Sequence, residues 1–183
     1  MGAGNRRDRW GRYIGGSDPK GPMTDRATPT DAESTRLGRQ LAGHPFVQGL
    51  PPADIAVLAE LALPADCEPN EILFRTGEPA DRFFLIRSGV VSLTVDAGEP
   101  VPRTIELISE GSALGWSWLF DPQVWQFDAV AKTPVRGIAF EAAALRDHCE
   151  ANPDFGYRLV LRMAEVIARR LHATRRQVLN LSR

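Results

Sequence analysis

The spacing of hydrophobic and polar positions changes three times along this chain. Residues 1–30 show almost no apolar periodicity and are rich in Gly, Pro, Asp, Thr and Arg, which predicts a disordered tail. A short helical pattern follows at residues 31–41. Pro51 and Pro52 then open a second helix, because proline suits the first helical turn. The apolar positions of this helix share one face: Ile55, Leu58, Ala59 and Ala62.

Between Asp66 and Phe140 the pattern changes to short alternating runs that Gly and Pro turns separate. The predicted strands cover residues 71–75, 82–87, 90–95, 103–108, 126–131 and 135–140, with a hairpin loop at 96–102. Many short strands at close spacing are typical of an antiparallel sandwich or jelly roll. The expected fold class is therefore α+β: an antiparallel β jelly roll, or double-stranded β-helix, flanked by N-terminal helices and a long C-terminal helix.

The residues after Phe140 return to a helical pattern. A short helix is predicted at 141–149, and Asn152-Pro153-Asp154 is a strong start signal for a last helix that reaches Leu181. A stripe recurs there at three- and four-residue steps: Tyr157, Leu161, Ala164, Ala168, Leu171, Thr174, Val178 and Leu181. A lone helix would not bury this coiled-coil stripe inside a small sandwich, so we expect a homodimer through it. Three units result: a tail (1–30), helices plus jelly roll (31–152) and the dimer helix (153–183).

Composition narrows the classes of partner. The 183 residues suit one main domain, and a net charge of -1 with a pI near 6.3 creates no global field that attracts nucleic acid or membrane. No apolar run is long enough to span a bilayer, and the Arg-rich N-terminus is not a secretory signal. Cys67 and Cys149 lie far apart, which favours separate thiols in a reducing cytoplasm over a redox pair.

Catalytic signals are missing from the sequence. His44, His148 and His172 are dispersed, no nucleophile-base set stands in a recognisable motif, and no glycine loop leads from a strand into a helix. We therefore expect no enzyme activity, no cofactor and no metal site.

One aromatic segment carries most of the remaining information. Residues 114–131 hold three of the four tryptophans. Together with Gly77 to Ile86 and Arg87 to Val91, this segment resembles the cyclic-nucleotide-binding domain of catabolite-activator-type regulators and cyclic-nucleotide-dependent kinases. The resemblance runs over about residues 40–181 and continues through Ala131-Lys132-Thr133. It implies a phosphate-binding cassette at 114–131, and a glycine at 89 that allows a positive φ or a close backbone approach.

The resemblance also implies which positions would hold a cyclic nucleotide. The family binds the cyclic phosphate at the start of a short helix, with an arginine on the phosphate and a glutamate on the ribose hydroxyl. Here Trp116 stands where the glutamate would be, and Trp125 stands where the arginine would be. Gly115 keeps the backbone approach, and Ser117 keeps a hydroxyl. An indole offers one donor and no charge, so we expect no cyclic AMP binding of the usual kind.

Three hypotheses for the cassette stay open. In the first, Trp116, Trp118, Phe120, Trp125 and Phe127 fill the old pocket as core, which leaves a structural or interaction subunit. In the second, a remodelled pocket stacks a flatter or more apolar ligand on the indoles and orients it with Gln126. In the third, an arginine from elsewhere permits cyclic-nucleotide binding in an altered pose. The candidate pocket residues are Gly115, Trp116, Ser117, Trp118, Trp125, Gln126 and Phe127.

The C-terminal stretch bears on partners. Catabolite-activator relatives continue into a helix-turn-helix, whereas the sequence given stops at Arg183, so we do not expect sequence-specific DNA binding. Residues 157–183 hold seven arginines against one acidic residue, Glu165. This pattern indicates a solvated outer face whose arginine stems cover apolar surface, or else a surface for an acidic protein partner or for nonspecific phosphate contact. Our preferred function is a non-enzymatic, cytoplasmic signal-sensing module that couples an aromatic pocket to a dimer helix.

Overall fold

The computed structural model describes residues 31–98 and 102–181, with side chains up to Arg176. Its four helices are α1 (Asp31–Ala42), α2 (Pro52–Glu60), α3 (Ala142–Ala151) and α4 (Pro153–Leu181), and two short 3-10 helices cover Pro45–Val47 and Ser117–Leu119. The predicted helices are therefore present. The predicted tail at 1–30 and part of the loop at 96–102 lie outside the described residues.

Eight strands make up the β part. They are β1 (Leu63–Pro64), β2 (Ile72–Phe74), β3 (Arg82–Ser88), β4 (Val91–Val95), β5 (Arg103–Ile108), β6 (Ala113–Leu114), β7 (Asp128–Ala131) and β8 (Arg136–Glu141). The six predicted strands match β2–β5, β7 and β8. The sequence analysis missed β1 and β6, because a two-residue strand is too short to show alternation.

The strands form two antiparallel sheets of four. One has the order β1-β8-β3-β6 and the other β2-β7-β4-β5. The most extensive pairing joins β3 to β8, from Arg82 opposite Glu141 to Ser88 opposite Arg136. This arrangement confirms the predicted α+β jelly roll, with β6 and β7 at the two ends of the aromatic segment.

Aromatic packing fills the space between the sheets and the helices. Phe83 lies 5.1 Å from Phe46 of the first 3-10 helix and 5.9 Å from Phe140 of β8, measured between ring centroids. Gly89 has a φ of 91°, and a Cβ there would lie 2.3 Å from the Pro134 carbonyl oxygen. Both the positive φ and the close approach expected at this glycine are confirmed.

Helix α4 packs on the domain through one face. Phe155, Leu159, Met163 and Val166 are buried on it. An ion pair strengthens the contact: Arg158 donates to the Asp54 carboxylate of α2 through Nε at 2.6 Å and Nη2 at 2.9 Å. The pair therefore joins α4 to the first turn of α2.

The junction between α3 and α4 differs in one detail from the start signal in the sequence. The Asn152 side chain turns back and donates to the His148 carbonyl oxygen at 3.2 Å, so it stabilises the end of α3. Its backbone carbonyl accepts from the Gly156 N–H at 3.0 Å in the first turn of α4.

Within the described residues, no helix combines the length and apolarity needed to cross a membrane.

Candidate functional site

The cassette leaves the first sheet at β6 and enters the second at β7. Gly115 makes the turn after β6 with a φ of 88°. A Cβ at this position would lie 3.0 Å from Cη2 of Trp125 and 3.1 Å from the Arg82 carbonyl oxygen. Glycine is therefore required both by the backbone conformation and by the tryptophan ring that lies against it.

Trp125 occupies the interior of the domain. Its ring stacks on Phe74 of β2 with centroids 3.8 Å apart and planes 14° apart, and only 3% of the residue is exposed. Its backbone is anchored as well, since its N–H donates to Glu78 and its carbonyl accepts from Gly77, both at 2.9 Å. The position that the resemblance assigns to a phosphate-binding arginine thus belongs to the apolar core.

Trp118 is also core. The residue is 2% exposed, and its carbonyl oxygen accepts a 3.4 Å hydrogen bond from Arg146 of α3. Its buried indole Nε1 finds no acceptor among the described residues. A buried donor without an acceptor is costly, so this ring is positioned by packing and not by hydrogen bonding.

Trp116 has a different environment, since it faces helix α4. The guanidinium carbon of Arg170 lies 4.4 Å from the centroid of the Trp116 ring, within cation–π range. Arg170 also donates through Nη2 to the Ala113 carbonyl of β6, and its Nε lies 3.5 Å from Oε1 of Glu106 on β5. Burial lowers the pKa of Arg170, and the charge of Glu106 opposes that shift. One side chain of α4 therefore contacts the cassette and both sheets.

The other candidate residues point elsewhere. Ser117 is half-buried in the second 3-10 helix, while Gln126 is exposed and donates to the Val124 carbonyl at 3.2 Å. Phe120 and Phe127 are 56% and 37% exposed. The expectation that all five aromatic residues fill the core is therefore right for Trp118 and Trp125 and wrong for these two phenylalanines.

Charged groups near the cassette have structural partners. Asp128 of β7 accepts a 2.7 Å hydrogen bond from the Thr76 N–H. Arg170 pairs with Glu106 and is 15% exposed, while Arg158 pairs with Asp54 and is 38% exposed, so both arginines have partners on other elements. In the part of the chain that the structure describes, no cluster of three or more His, Cys, Asp or Glu side chains is placed to hold a metal ion.

The predicted dimer stripe lies on the outer side of α4. Tyr157 is 71% exposed, and Leu161 and Leu171 are each 48% exposed. Ala164 and Ala168 are exposed too, whereas Val178 lies beyond the last described side chain. At about 100° per residue, this stripe faces roughly away from the buried Leu159 and Met163.

The comparisons with known proteins agree with this architecture. Residues 65–152 match the family model described as cyclic nucleotide-binding domain. This part of the chain is therefore similar to that family, and the structure shares its fold. A solved cyclic nucleotide-binding domain from Methylobacillus flagellatus superposes with a TM-score of 0.68 at 17% identity, covering 82% of this chain and 84% of that one. The Thermus thermophilus catabolite activator protein gives 0.60 at 22% identity, with 75% of this chain and 63% of that protein covered.

A curated relative extends the likeness to sequence. The CRP-like cAMP-activated global transcriptional regulator of Mycobacterium tuberculosis is 29% identical over 141 residues. The match covers 77% of this chain and 61% of the regulator, so the chain spans about three fifths of that protein. The likeness supports the Crp-type fold that the sequence analysis identified.

Proposed function

We propose that this chain is a non-enzymatic regulatory module in which a tryptophan-modified cassette controls a dimer helix. The observation that carries the proposal is the Arg170 contact. Arg170 belongs to α4, and it stacks on Trp116 of the cassette at 4.4 Å while it donates to Ala113 of β6. A change in the position of the cassette alters this contact and therefore the position of α4, as in a two-state coupling between two sites.

The proposal includes a second copy of the chain as partner. The outer stripe of α4 leaves Tyr157, Leu161 and Leu171 in solvent in the single chain. Its three- and four-residue spacing fits a coiled-coil seam, and pairing two such stripes would remove these side chains from water.

The proposal excludes cyclic AMP binding in the family's usual way. Trp125 is stacked on Phe74 and 97% buried, so the position assigned to the phosphate-binding arginine provides neither charge nor free space. Placing an anion there without a cation would cost several kcal/mol. Binding in an altered pose would need a different arginine. Arg170 is the described arginine that contacts the cassette position Trp116, so it is the residue such a pose would use.

A second candidate function has an observation in its favour. Trp118 and Trp125 are 2% and 3% exposed, which supports a cassette that has collapsed into core and an interaction subunit that acts through α4 alone. The two candidates differ in one respect. Coupling requires that the cassette affects dimerisation, whereas an interaction subunit needs no such effect.

The dimer dissociation constant tests this difference. Sedimentation equilibrium of Trp116→Ala is compared with wild type and with Phe120→Ala, an exposed cassette aromatic that does not touch Arg170 in the described contacts. Coupling predicts a shift of about fivefold or more in Trp116→Ala, about 1 kcal/mol, and little change in Phe120→Ala. Equal dissociation constants in all three proteins would contradict coupling and favour the interaction subunit.

A further inference from the structure

A cavity of about 250 Å³ lies beside Arg170, between the first 3-10 helix, the residues before β6, and α4. Its walls include Pro45 and Phe46 of the first 3-10 helix, Ser112 before β6, and Val166, Arg169 and Arg170 of α4. None of the candidate pocket residues of the cassette lines it. It is therefore a different place from the candidate pocket of the cassette.

The chemistry of the lining is that of an anion site. Two guanidinium groups and one hydroxyl stand beside apolar side chains. Arg170 is paired with Glu106 at 3.5 Å, while Arg169 contacts only the backbone carbonyl of Glu165, at 3.3 Å, in the contacts that the structure describes. Of the two guanidinium groups in the wall, the described contacts pair only that of Arg170 with a carboxylate. An oxyanion would balance the second charge by charge-assisted hydrogen bonds.

Arg170 contributes positive charge to the wall, and one of its nitrogens, Nη1, is enclosed by protein and does not itself face the cavity. This nitrogen finds no acceptor among the described residues. Guanidinium groups carry five N–H donors, and a buried donor without an acceptor destabilises the structure. Burial also lowers the pKa of this side chain, which an adjoining anion would reverse.

We propose that this cavity binds a small oxyanion, a carboxylate or a phosphate with a short apolar part. The volume corresponds to several water molecules at about 30 Å³ each, which is enough for such a ligand and too little for a large one. Phe46 and Val166 contact its apolar part, and Arg169 and Arg170 bind its charged group. Since Arg170 also stacks on Trp116, the proposed ligand would act on the same coupling residue, but its binding does not require the dimer.

Calorimetric titration with inorganic phosphate and, separately, with succinate tests the site. Sodium chloride at equal ionic strength is the control for screening. We expect saturable heat with at least one oxyanion and none with chloride; the two arms decide whether phosphate or carboxylate is preferred. Absence of saturable binding in both arms would overturn the proposal.

Variants locate the binding. Val166→Phe fills the cavity and keeps both arginines, and Arg169→Gln removes a charge from its wall. Arg176→Gln is the matched control, because Arg176 is an exposed arginine of the same helix that does not line the cavity. Each cavity variant should weaken binding about tenfold or more, and the control should not. An anion bound at the cassette would leave the oxyanion affinity of Arg169→Gln and Val166→Phe unchanged. That result would overturn the assignment of the binding site to the cavity.

The dimer is measured in the same samples by sedimentation. An intact, Trp116-dependent dimer without oxyanion binding would contradict this inference alone. Oxyanion binding in a chain whose dimerisation ignores Trp116 would contradict the proposed coupling alone.

Discussion

Trp125 is the residue on which the proposed loss of the usual nucleotide site depends most. Its ring lies between Phe74, at 3.8 Å, and Gly115, which has no side chain to displace it. A stacked, buried aromatic of this kind contributes to the core through apolar burial and ring geometry. Its role is therefore to stabilise the fold at the position that the resemblance assigns to phosphate binding.

Replacing Trp125 by alanine should consequently destabilise the domain strongly. We expect a loss of about 3–5 kcal/mol in the free energy of unfolding, because a large buried side chain is removed and a cavity remains. Urea denaturation measures it. Phe120→Ala is the control, since Phe120 is 56% exposed and should cost about 0.5 kcal/mol. A Trp125→Ala protein as stable as this control would contradict the packing.

His44 is a buried titratable residue that the sequence left without a role. Its Nδ1 accepts from the Phe46 N–H at 3.1 Å, so its proton is on Nε2, which donates to the Ile86 carbonyl at 3.1 Å. Burial lowers its pKa below the ordinary 6.5; the charge of Arg87 acts in the same direction, and the bond to Ile86 opposes both. The neutral ring therefore connects the first 3-10 helix to β3.

This arrangement predicts a pH dependence of stability. Below pH 6.5 His44 takes up a proton in the unfolded chain but stays neutral in the folded chain, because its folded pKa is lower. The contribution of His44 to the free energy of unfolding is therefore complete above pH 6.5 and decreases as the pH falls toward the folded pKa. Unfolding free energies at about pH 7.5 and about pH 5.5 should differ less in His44→Gln than in wild type. The exposed His172 is the control, and His172→Gln should keep the wild-type difference. An NMR titration of His44 at its ordinary pKa would contradict this account.

The limits of sequence reasoning are clearest at these residues. The resemblance located the cassette and Gly115, but the three tryptophans lie on an irregular segment without periodicity, so nothing in the sequence could distinguish core, helix-facing and surface rings. The contacts of Trp116 and Trp125 come from α4 and β2, about 50 residues away in either direction, and such pairings follow from tertiary packing.

Among the elements, α4 differs most from a simple outer helix. One face packs on the domain through Phe155, Leu159 and Met163, and another leaves Leu161 in solvent. The sequence predicted the bounds of α4 and its stripe, because helical spacing is a local signal. It did not predict that Arg158 and Arg170 form ion pairs, since their partners Asp54 and Glu106 lie on other elements.

The ion pair between α2 and α4 should contribute to the stability of their contact. Arg158→Met leaves the Asp54 carboxylate without its partner while it is only 8% exposed, so we expect a lower Tm. Adding Asp54→Asn to this variant should recover part of the loss, since the charge is then removed. Arg36→Met is the matched control, because the Arg36–Glu33 pair is exposed and 3.6 Å apart. Equal Tm values for Arg158→Met and Arg36→Met would refute the contribution.

At the scale of the whole molecule, the proposed dimer explains why α4 is apolar on two faces. Leu161→Glu places a charge in the proposed seam at a position that is 48% exposed in the single chain. Analytical ultracentrifugation should therefore find wild type as a dimer and this variant as a folded monomer. Arg176→Gln changes the charge by the same amount outside the stripe and should remain dimeric. A monomeric wild type would contradict the proposed dimer.

The central claim is that this cyclic nucleotide-binding fold does not bind cyclic AMP in the family's usual way. Calorimetric titration of the full chain with cyclic AMP, and with cyclic GMP in parallel, tests it most directly. The burial of Trp125 predicts no saturable heat up to about 1 mM nucleotide, where the standard binding free energy is only about -4 kcal/mol. Saturable binding at micromolar concentration would contradict the claim.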